Sequence, residues 1–447
     1  MTEKTNKMET MPMGQLVFSM SLPMMASLLI QSLYNIVDSI FVARISERAL
    51  TAASLAFPVQ MLMIAVGVGT SVGVNALLSQ TLGRKDYAEA GRAAQTGTVL
   101  SVFSSLVFMI AGMFFSQTLA SHFTNDPEIA SMCAEYLRIC MVYCMGNLVC
   151  MVFQRLLQAS GKAVLSMVVL ASGAITNIIL DPIMIFGMFG CPAMGIKGAA
   201  YATVIGQWVS FFAGLYLNIR KNKDIDLLKN GFVLTGRRIA GIYRVGLPTI
   251  IMNAMNSMMV TAVNAILLPF SSTAVAFFGI YYKLQNFLFM PMNGLGQAAI
   301  PIIGYNYGAR NKERIMSAAK MIYASSAVIA LIGTVIFRIY GEALLGLFNA
   351  GEEMTAVGVP ALHKICLTFI PASFSLITGY AASGLGDGMT NMTAAFLRQF
   401  VPLIPCAYLL ASAGGIEHVW YAFWISEAAA AMYCLYRLSY LKKTKLD

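Results

Sequence analysis

The sequence predicts an all-α integral membrane protein, with twelve transmembrane helices arranged as two parallel, pseudo-symmetric bundles of six. Three observations carry this. Of 447 residues, 58% are hydrophobic and 11% charged, and the mean hydropathy is +0.71; a soluble domain carries about 25% charged residues, so this chain lacks the polar surface to stay in water. Apolar stretches long enough to cross a bilayer, about 20 residues each, recur twelve times along it. Finally, the chain repeats itself at a constant offset of 225 residues: Leu22-Pro23 returns as Leu247-Pro248, Gln60 as Gln285, Gly69 as Gly294, Gly83 as Gly308, Phe123 as Phe348 and Gly161 as Gly386. Two copies of one unit is the simplest reading. Since six is even, each copy starts on the same side of the membrane, so the copies are parallel and related by an axis along the membrane normal.

The first span, 15–43, contains Pro23 and a stripe of Gln31, Asn35 and Asp38, whose i, i+4, i+7 spacing places them on one helix face. Spans 50–80 and 92–118 follow, separated by Arg84, Lys85 and Arg92. The fourth, 129–157, opens with Glu135 and Tyr136 and holds Cys133, Cys140, Cys144 and Cys150. In the fifth, 164–188, Asn177 precedes Asp181-Pro182 by one turn, and the sixth, 196–219, contains Thr203. Residues 220–238 are the only extended polar stretch and are expected to be the linker. The second set is 239–268, with Pro248, Met252, Asn253, Asn256, Met259 and Asn264; 275–305, with Lys283, Gln285, Pro291 and Pro301; 315–340; 357–384; 391–412, with Arg398 and Gln399; and 418–440, with Glu427. The organisation expected is thus a tail (1–14), an N-lobe (15–219), a linker (220–238), a C-lobe (239–440) and a second tail (441–447).

Lys and Arg are retained in short cytoplasmic loops. With the N-terminus inside, the tails and even-numbered loops hold 22 of the 30 such residues. Both termini are therefore expected in the cytoplasm, in a multi-pass protein of the cell inner (cytoplasmic) membrane. The +10 net charge is a topology signal rather than a nucleic-acid footprint. No short apolar leader with a small-residue cleavage site precedes the first span, so it is expected to stay. The eight cysteines form no Cys-x-x-Cys pair and read as small apolar filler.

An ionisable side chain inside a span costs a few kcal/mol or more and is a functional candidate by default. Asp38, Asp181, Glu135 and Glu427 qualify. Asp38 lies six residues before Arg44 and Asp181 six before Gly187, which at 1.5 Å per residue puts both roughly 9 Å inside the same boundary. They are expected to share one site. Two carboxylates close together in a low-dielectric site cannot both ionise cheaply, so the pair is suited to take up and release a proton. With oxygens from Asn177 and Thr203, the same cluster suits Na⁺, at Asp38, Asn177 and Asp181. Glu135 either approaches this site or pairs with Arg138. At the 225 offset Asp38 becomes Val263 and Asp181 becomes Cys406, so the copies share a scaffold and differ in chemistry. In the second copy, Lys283 or Arg398 is expected to pair with Glu427. The methionines around Met252 and Met259 supply surface that repacks around varied ligands.

Asn35-Ile-Val-Asp38, Gln80-Thr-Leu-Gly-Arg84 with its counterpart Asn306-Tyr-Gly-Ala-Arg310, Asn177-Ile-Ile-Leu-Asp181-Pro182 and Gly195-Ile-Lys-Gly-Ala-Ala-Tyr-Ala-Thr203, in this order and spacing, resemble the multidrug and toxic compound extrusion (MATE) family over residues 12–440. Leu397-Arg398-Gln399 with Pro402 and Pro405 is similar to the branch of staphylococcal-type multidrug exporters. The resemblance implies a MATE/MOP-type fold and export of cationic amphipathic drugs or dyes, by alternating access between two lobes, against inward H⁺ or Na⁺. It also implies a monomer in contact with membrane lipid and small organic cations, without nucleic acid or a cofactor beyond the coupling ion. Carried over to this chain, the cation site comprises Asp38, Asn177, Asp181, Tyr136 and Thr203. Gln31, Asn35, Met252, Asn253, Asn256, Met259, Lys283, Arg398 and Glu427 are candidates for a substrate cavity between the lobes. Helix 7 here has only asparagines and helix 10 no acid, which argues against a second Na⁺ site.

A lipid-linked oligosaccharide flippase of the same superfamily is the nearest alternative, but it needs several Arg and Lys for pyrophosphate. An enzyme is not expected, because His122, His363 and His418 are scattered and no nucleophile-base spacing occurs.

Overall fold

In the computed structural model, residues 6–227, 233–348 and 350–446 are described, and all their regular secondary structure is helical. Twelve helices are stacked side by side: α1 (Met13–Ala43), α2 (Glu47–Gly83), α3 (Tyr87–Phe123), α4 (Pro127–Val142 and Met145–Ala159), α5 (Ala163–Phe186), α6 (Ile196–Lys221), α7 (Gly236–Leu267), α8 (Ser272–Gly308), α9 (Lys312–Ile339), α10 (Glu352–Gly384), α11 (Gly388–Gly414) and α12 (Tyr421–Leu441). Ten of these are long and apolar enough to cross a membrane, and α4, bent by 46° at Tyr143–Cys144, makes an eleventh if its two pieces are one span. α12, which carries Glu427 and Arg437, is not among them. The outer faces carry exposed Phe103, Phe114, Phe212, Leu331 and Leu409, as lipid contact requires of helices whose backbone bonds are satisfied internally.

The repeat is written into the local structure. Ser46 caps α2 by accepting from the Ala49 N–H at 3.0 Å, and Ser271, 225 residues on, caps α8 by accepting from Ala274 at 3.2 Å. Asp86 and Asn311 cap α3 and α9 in the same way. Short polar side chains satisfy N-terminal N–H groups that have no partner within the helix. Just before these caps the chain turns through a left-handed residue, Lys85 at φ 60° and Arg310 at φ 56°, and the turns after α4 and α10 use Gly161 (φ 79°) and Gly386 (φ 77°).

The two halves meet along α1 and α2 on one side and α7 and α8 on the other. Glycines set how closely. A Cβ at Gly83 would lie 2.8 Å from the carbonyl carbon of Tyr305, and one at Gly308 would lie 2.8 Å from that of Gln80, which is the same contact generated by the repeat. Higher up, Gly69 abuts Ile250 and Gly294 abuts Met25, again as symmetry mates. Gln80 crosses the seam to donate to the Gly384 carbonyl at 2.8 Å, and Arg155 donates to Gln297 at 3.0 Å. Accordingly α2 and α8 are buried over most of their second halves, whereas their first halves expose Leu50, Phe57 and Leu62, and Phe287. The halves close at the face carrying the chain ends, here called the terminal face, and part towards the other.

The terminal face is tied further by the segment before α1. Met8 is fully buried there, Arg314 donates to the Met8 and Met11 carbonyls at 3.0 and 2.9 Å, and Glu9 pairs with Lys85 at 3.2 Å. The stretch expected to link the halves is partly helix: α6 continues to Lys221 and α7 begins at Gly236. Lys162 holds Asn222 and Asp224, both at 3.0 Å, against the first half. Residues 228–232 lie outside the described residues. Among the described residues all eight cysteines are free.

Candidate functional site

The first half contains a cavity of about 600 Å³. On α1 the face read from the sequence stripe lines it, with Gln31, Asn35 and Asp38, and Tyr34 joins them one turn before Asp38. Opposite, α5 and α6 lie close because each has glycine at the contact: a Cβ on Gly206 would lie 3.2 Å from that of Asn177, and one on Gly173 would lie 2.6 Å from the Gly206 carbonyl oxygen. This approach brings Thr203 of α6 to Asn177 of α5.

Asn177 Nδ2 donates to Asp181 Oδ1 at 3.2 Å and lies 3.3 Å from Thr203 Oγ1. The carboxyl groups of Asp38 and Asp181 are within hydrogen-bonding reach of each other, and Tyr34 reaches the Thr203 hydroxyl. Asp181 is fully buried and Asn177 nearly so. Even so, three oxygens here, Asp38 Oδ1, Asp181 Oδ2 and Asn177 Oδ1, are buried without a hydrogen-bond donor. Buried acceptors left without a donor are costly. A proton on the carboxyl pair, or a cation with a preference for hard oxygen ligands, supplies what they lack. No cluster of three or more His, Cys, Asp or Glu occurs among the described residues, so any cation held here relies on amide and hydroxyl oxygens beside the two carboxylates.

Among the described residues, Asp38 is the only Asp, Glu, Lys or Arg lining the cavity. Around it are amides (Gln60, Asn147, Gln154, Gln207) and soft apolar side chains (Phe57, Met61, Met151, Leu170). Tyr136, also expected at the cation site, lines the same wall as Gln60. Glu135 points elsewhere: it pairs with Lys197 at 2.9 Å on an exposed surface, not with Arg138. Tyr34 and Gln60 were missed. Tyr34 shares the helix face of Gln31, Asn35 and Asp38 and was legible from that spacing, while Gln60 was visible as a repeat landmark.

Among the described residues, the lining of this cavity runs from residue 31 to residue 210. Of the residues expected to wall a substrate cavity, Met252, Asn253, Met259, Lys283, Arg398 and Glu427 do not line this one. Asn253 bonds the Thr249 carbonyl at 2.8 Å, Met259 belongs to the apolar core of the second half, and Lys283 is exposed. The Asn256 side chain lies outside the described residues. Arg398, rather than Lys283, holds Glu427, its Nε donating to both carboxylate oxygens at 2.9 and 3.0 Å. At the position of Asp38 the second half has Val263, 1% exposed within that core.

Over its length the chain is similar to curated exporters. It is 28% identical over 428 residues to the Multidrug export protein MepA of Staphylococcus haemolyticus (strain JCSC1435), covering 94% of this chain and 92% of that one. With the protein of the same name from Staphylococcus aureus (strain bovine RF122 / ET3-1) the identity is 26% over 440 residues, covering 96% and 95%. Among solved structures, a MATE protein in complex with MaD3S superposes with a TM-score of 0.91 at 24% identity, over 99% of this chain and 100% of that one. An outward-facing multidrug resistance MATE family transporter of the MOP superfamily superposes with 0.88 at 24%, over 99% and 98%. At such identity these structures attest the fold. The MatE family profile matches twice, at residues 23–183 and 248–409, one match per half and starting 225 residues apart, so the duplication read from sequence is the family's own unit and the chain belongs to the MatE family.

Proposed function

We propose that this protein exports structurally varied, cationic amphipathic molecules by antiport, with Asp38 and Asp181 as the site of the coupling cation and the cavity beside them as the substrate chamber. The observation that carries this is the meeting of two carboxyls at the edge of a chamber that no Lys or Arg lines, with three buried oxygens lacking a donor. A cationic drug in the chamber faces one formal charge, on Asp38, against aromatic, methionine and amide walls. Met and aromatic surfaces repack around different ligands, which suits a broad range of substrates. The absence of Lys and Arg speaks against a chamber for pyrophosphate-linked glycolipid.

The cycle follows from linkage. A proton or Na⁺ taken up between Asp38, Asp181 and Asn177 neutralises the one charge that holds the drug, so each ligand weakens the other's binding by the same factor. With the terminal face cytoplasmic, as the Lys and Arg distribution has it, the closed seam corresponds to a chamber that opens outward. A cation arriving from outside then discharges the drug, and return through the alternate state carries the cation inward. A cation moving inward gains about 2.3 kcal/mol per 100 mV, and a monocationic drug moving outward costs the same, so one-for-one exchange is electroneutral and the coupling ion's own concentration gradient drives efflux.

The test is ethidium efflux from vesicles under separately imposed pH and Na⁺ gradients. Efflux driven by one gradient alone assigns the coupling ion. Asp38→Asn is expected to abolish coupled efflux with the folded protein retained, and undiminished coupled efflux in that variant would remove Asp38 from the mechanism.

A further inference from the structure

The connection between α5 and α6, at the face opposite the chain ends, carries the most exposed large apolar side chain among the described residues. Phe189 is 88% exposed, and Phe186 and Met188 beside it are exposed as well. The backbone is strained to present it: Phe189 has φ 56° and ψ 29°, between Gly187 at φ 77° and Gly190 at φ 85°. That left-handed conformation suits glycine and is costly for an aromatic residue. From Pro182 to Ile196 the sequence has no Asp, Glu, Lys or Arg. The scaffold does not demand this composition. At the 225 offset Phe189 becomes Gly414, and the equivalent connection in the second half carries Glu417, whose carbonyl accepts from Lys364 at 3.0 Å, and His418.

The hook formed by Phe186–Phe189 is fixed to α5. Just beyond it, the Met194 N–H donates to the Met184 carbonyl at 3.0 Å and the Gly195 N–H to the Ile185 carbonyl at 3.2 Å. A Cβ on Gly198 would lie 2.6 Å from the Met184 carbonyl carbon, so the start of α6 packs on the same turn. At the base of the hook Phe186 meets Phe41 of α1 edge-on, with ring centres 6.4 Å apart. Phe41 follows Asp38 by three residues and Phe186 follows Asp181 by five, so the hook closes the same two helix ends that carry the carboxyl pair.

What covers this apolar tip follows from continuity. Val164, Val168, Ile175, Ile179 and Phe186 are exposed along α5, spaced by four and seven residues as one helix face requires. This stripe is the lipid-facing surface of a membrane span, and it runs on into Met188 and Phe189 with no charge between. Fully burying a phenylalanine favours the buried state by a factor of roughly 10 to 150 over exposure to water. Apolar side chains at a membrane boundary enter it at the junction of head groups and acyl chains. We propose that the hook inserts into the phospholipid leaflet at this face, with Phe189 as its anchor, and so fixes the depth of the α5 end that carries Asp181. This holds whichever substrate is exported and whichever ion couples.

Fluorescence quenching of the full-length protein in phosphatidylcholine vesicles tests the proposal. Cys191, free and exposed next to the hook, is kept as the sole cysteine and labelled with nitrobenzoxadiazole. The aqueous reference is Glu352→Cys, exposed at the start of α10 on the same face, labelled alike in a protein with all native cysteines replaced. The quenchers are phosphatidylcholine bearing a nitroxide high on its acyl chain and, separately, iodide on both sides of the membrane. The expected result is stronger nitroxide quenching at 191 than at 352, with an iodide quenching constant on the order of tenfold lower. Phe189→Asn, whose short polar side chain tolerates the left-handed backbone, should bring both readings to those of the reference. Nitroxide quenching at 191 no greater than at 352 would overturn the proposal: ready access of iodide then puts the hook in water, and protection from iodide puts a protein surface, such as a second copy of the chain, over it. Unchanged quenching in Phe189→Asn would overturn the role of Phe189 as anchor. If the Cys191 protein does not fold, Met188→Cys carries the label with the same expectation.

Discussion

Replacing Gly83 by alanine tests the claim that the terminal face is closed by direct helix contact. A methyl group at Gly83 would lie 2.8 Å from the Tyr305 carbonyl carbon and 2.9 Å from the Ala309 nitrogen, against an ordinary separation of about 3.5–4.0 Å. Both neighbours are backbone, so no side chain can swing aside and the helices must part by roughly 1 Å. Overpacking of this kind costs about 1–3 kcal/mol. The cost falls on the crossed arrangement and not on one in which α2 and α8 have separated, so it converts to a shift of about 5- to 150-fold towards separation. Ser79 reports on this, since it is fully buried beside Gly304 across the seam. With the eight native cysteines replaced, Ser79→Cys should react with a membrane-permeant maleimide faster by that factor when Gly83→Ala is added. Gly308→Ala, its symmetry mate, should behave alike, whereas Gly236→Ala, with nothing within 4 Å of its added Cβ, should not. A Gly83→Ala protein that stays folded and labels at the unaltered rate would refute the reasoning.

Two further predictions concern the second half. Arg398→Met alone leaves Glu427, 7% exposed, without its partner and should destabilise by about 3–5 kcal/mol, while adding Glu427→Leu should recover most of this because a packed apolar pair replaces a buried ionic one at little net cost; melting temperatures of the singles and the double measure it, and a double variant as unstable as the sum of the singles would show that the pair is not what holds α11 to α12. At the terminal face, burial would raise the Asp387 carboxyl, but its hydrogen bond to Thr390 and the Arg437 guanidinium beside it prevail and hold it below the usual range. A depressed folded value means that the stabilisation is fully present above the unfolded value of about 3.9 and is lost as pH falls through the folded one. Arg437→Gln should therefore lower the melting temperature at pH 7 and flatten the acid limb of stability against pH, and an unchanged acid limb would show that Asp387 does not depend on Arg437.

Much of the scaffold was legible because it rests on short-range rules. The offset of 225 held down to single capping side chains, with Ser46 and Ser271 and then Asp86 and Asn311 in equivalent places, because caps and glycine turns are demanded by the backbone itself. Helix rise alone puts Asp38 and Asp181 at one depth, and in the structure their carboxyls lie within hydrogen-bonding reach of each other. What the sequence hid depends on how helices pack sideways. Nothing in helical periodicity says that α5 and α6 touch through Gly173 and Gly206, or that Glu135 turns to Lys197. The bend at Tyr143–Cys144 has no proline to announce it. Arg84, Arg310 and Lys445 read as scattered topology charges, and only the crossing of α2 and α8 gathers them round one cavity.

The same crossing explains why duplication had to be followed by divergence. Each half supplies equivalent glycines to the seam, so the contact is symmetric and favours neither half as the moving part. Inside the halves that symmetry is broken in packing as well as in charge. Where the first half has a chamber of about 600 Å³, the second is filled by Phe277, Phe278, Tyr281, Trp420 and Phe423 in contact with one another. Val263 is buried there in place of a carboxylate, and Arg398 is locked to Glu427. Dense aromatic packing resists change of shape, since interiors near close packing rearrange between discrete states or not at all. A chamber lined by amides and methionines around a carboxyl pair has room to rearrange when a cation neutralises it. On the proposed mechanism, the first half therefore converts ion binding into altered drug affinity. The second half is the stiff body against which, through Gly69, Gly83 and their mates, that change is transmitted to the seam.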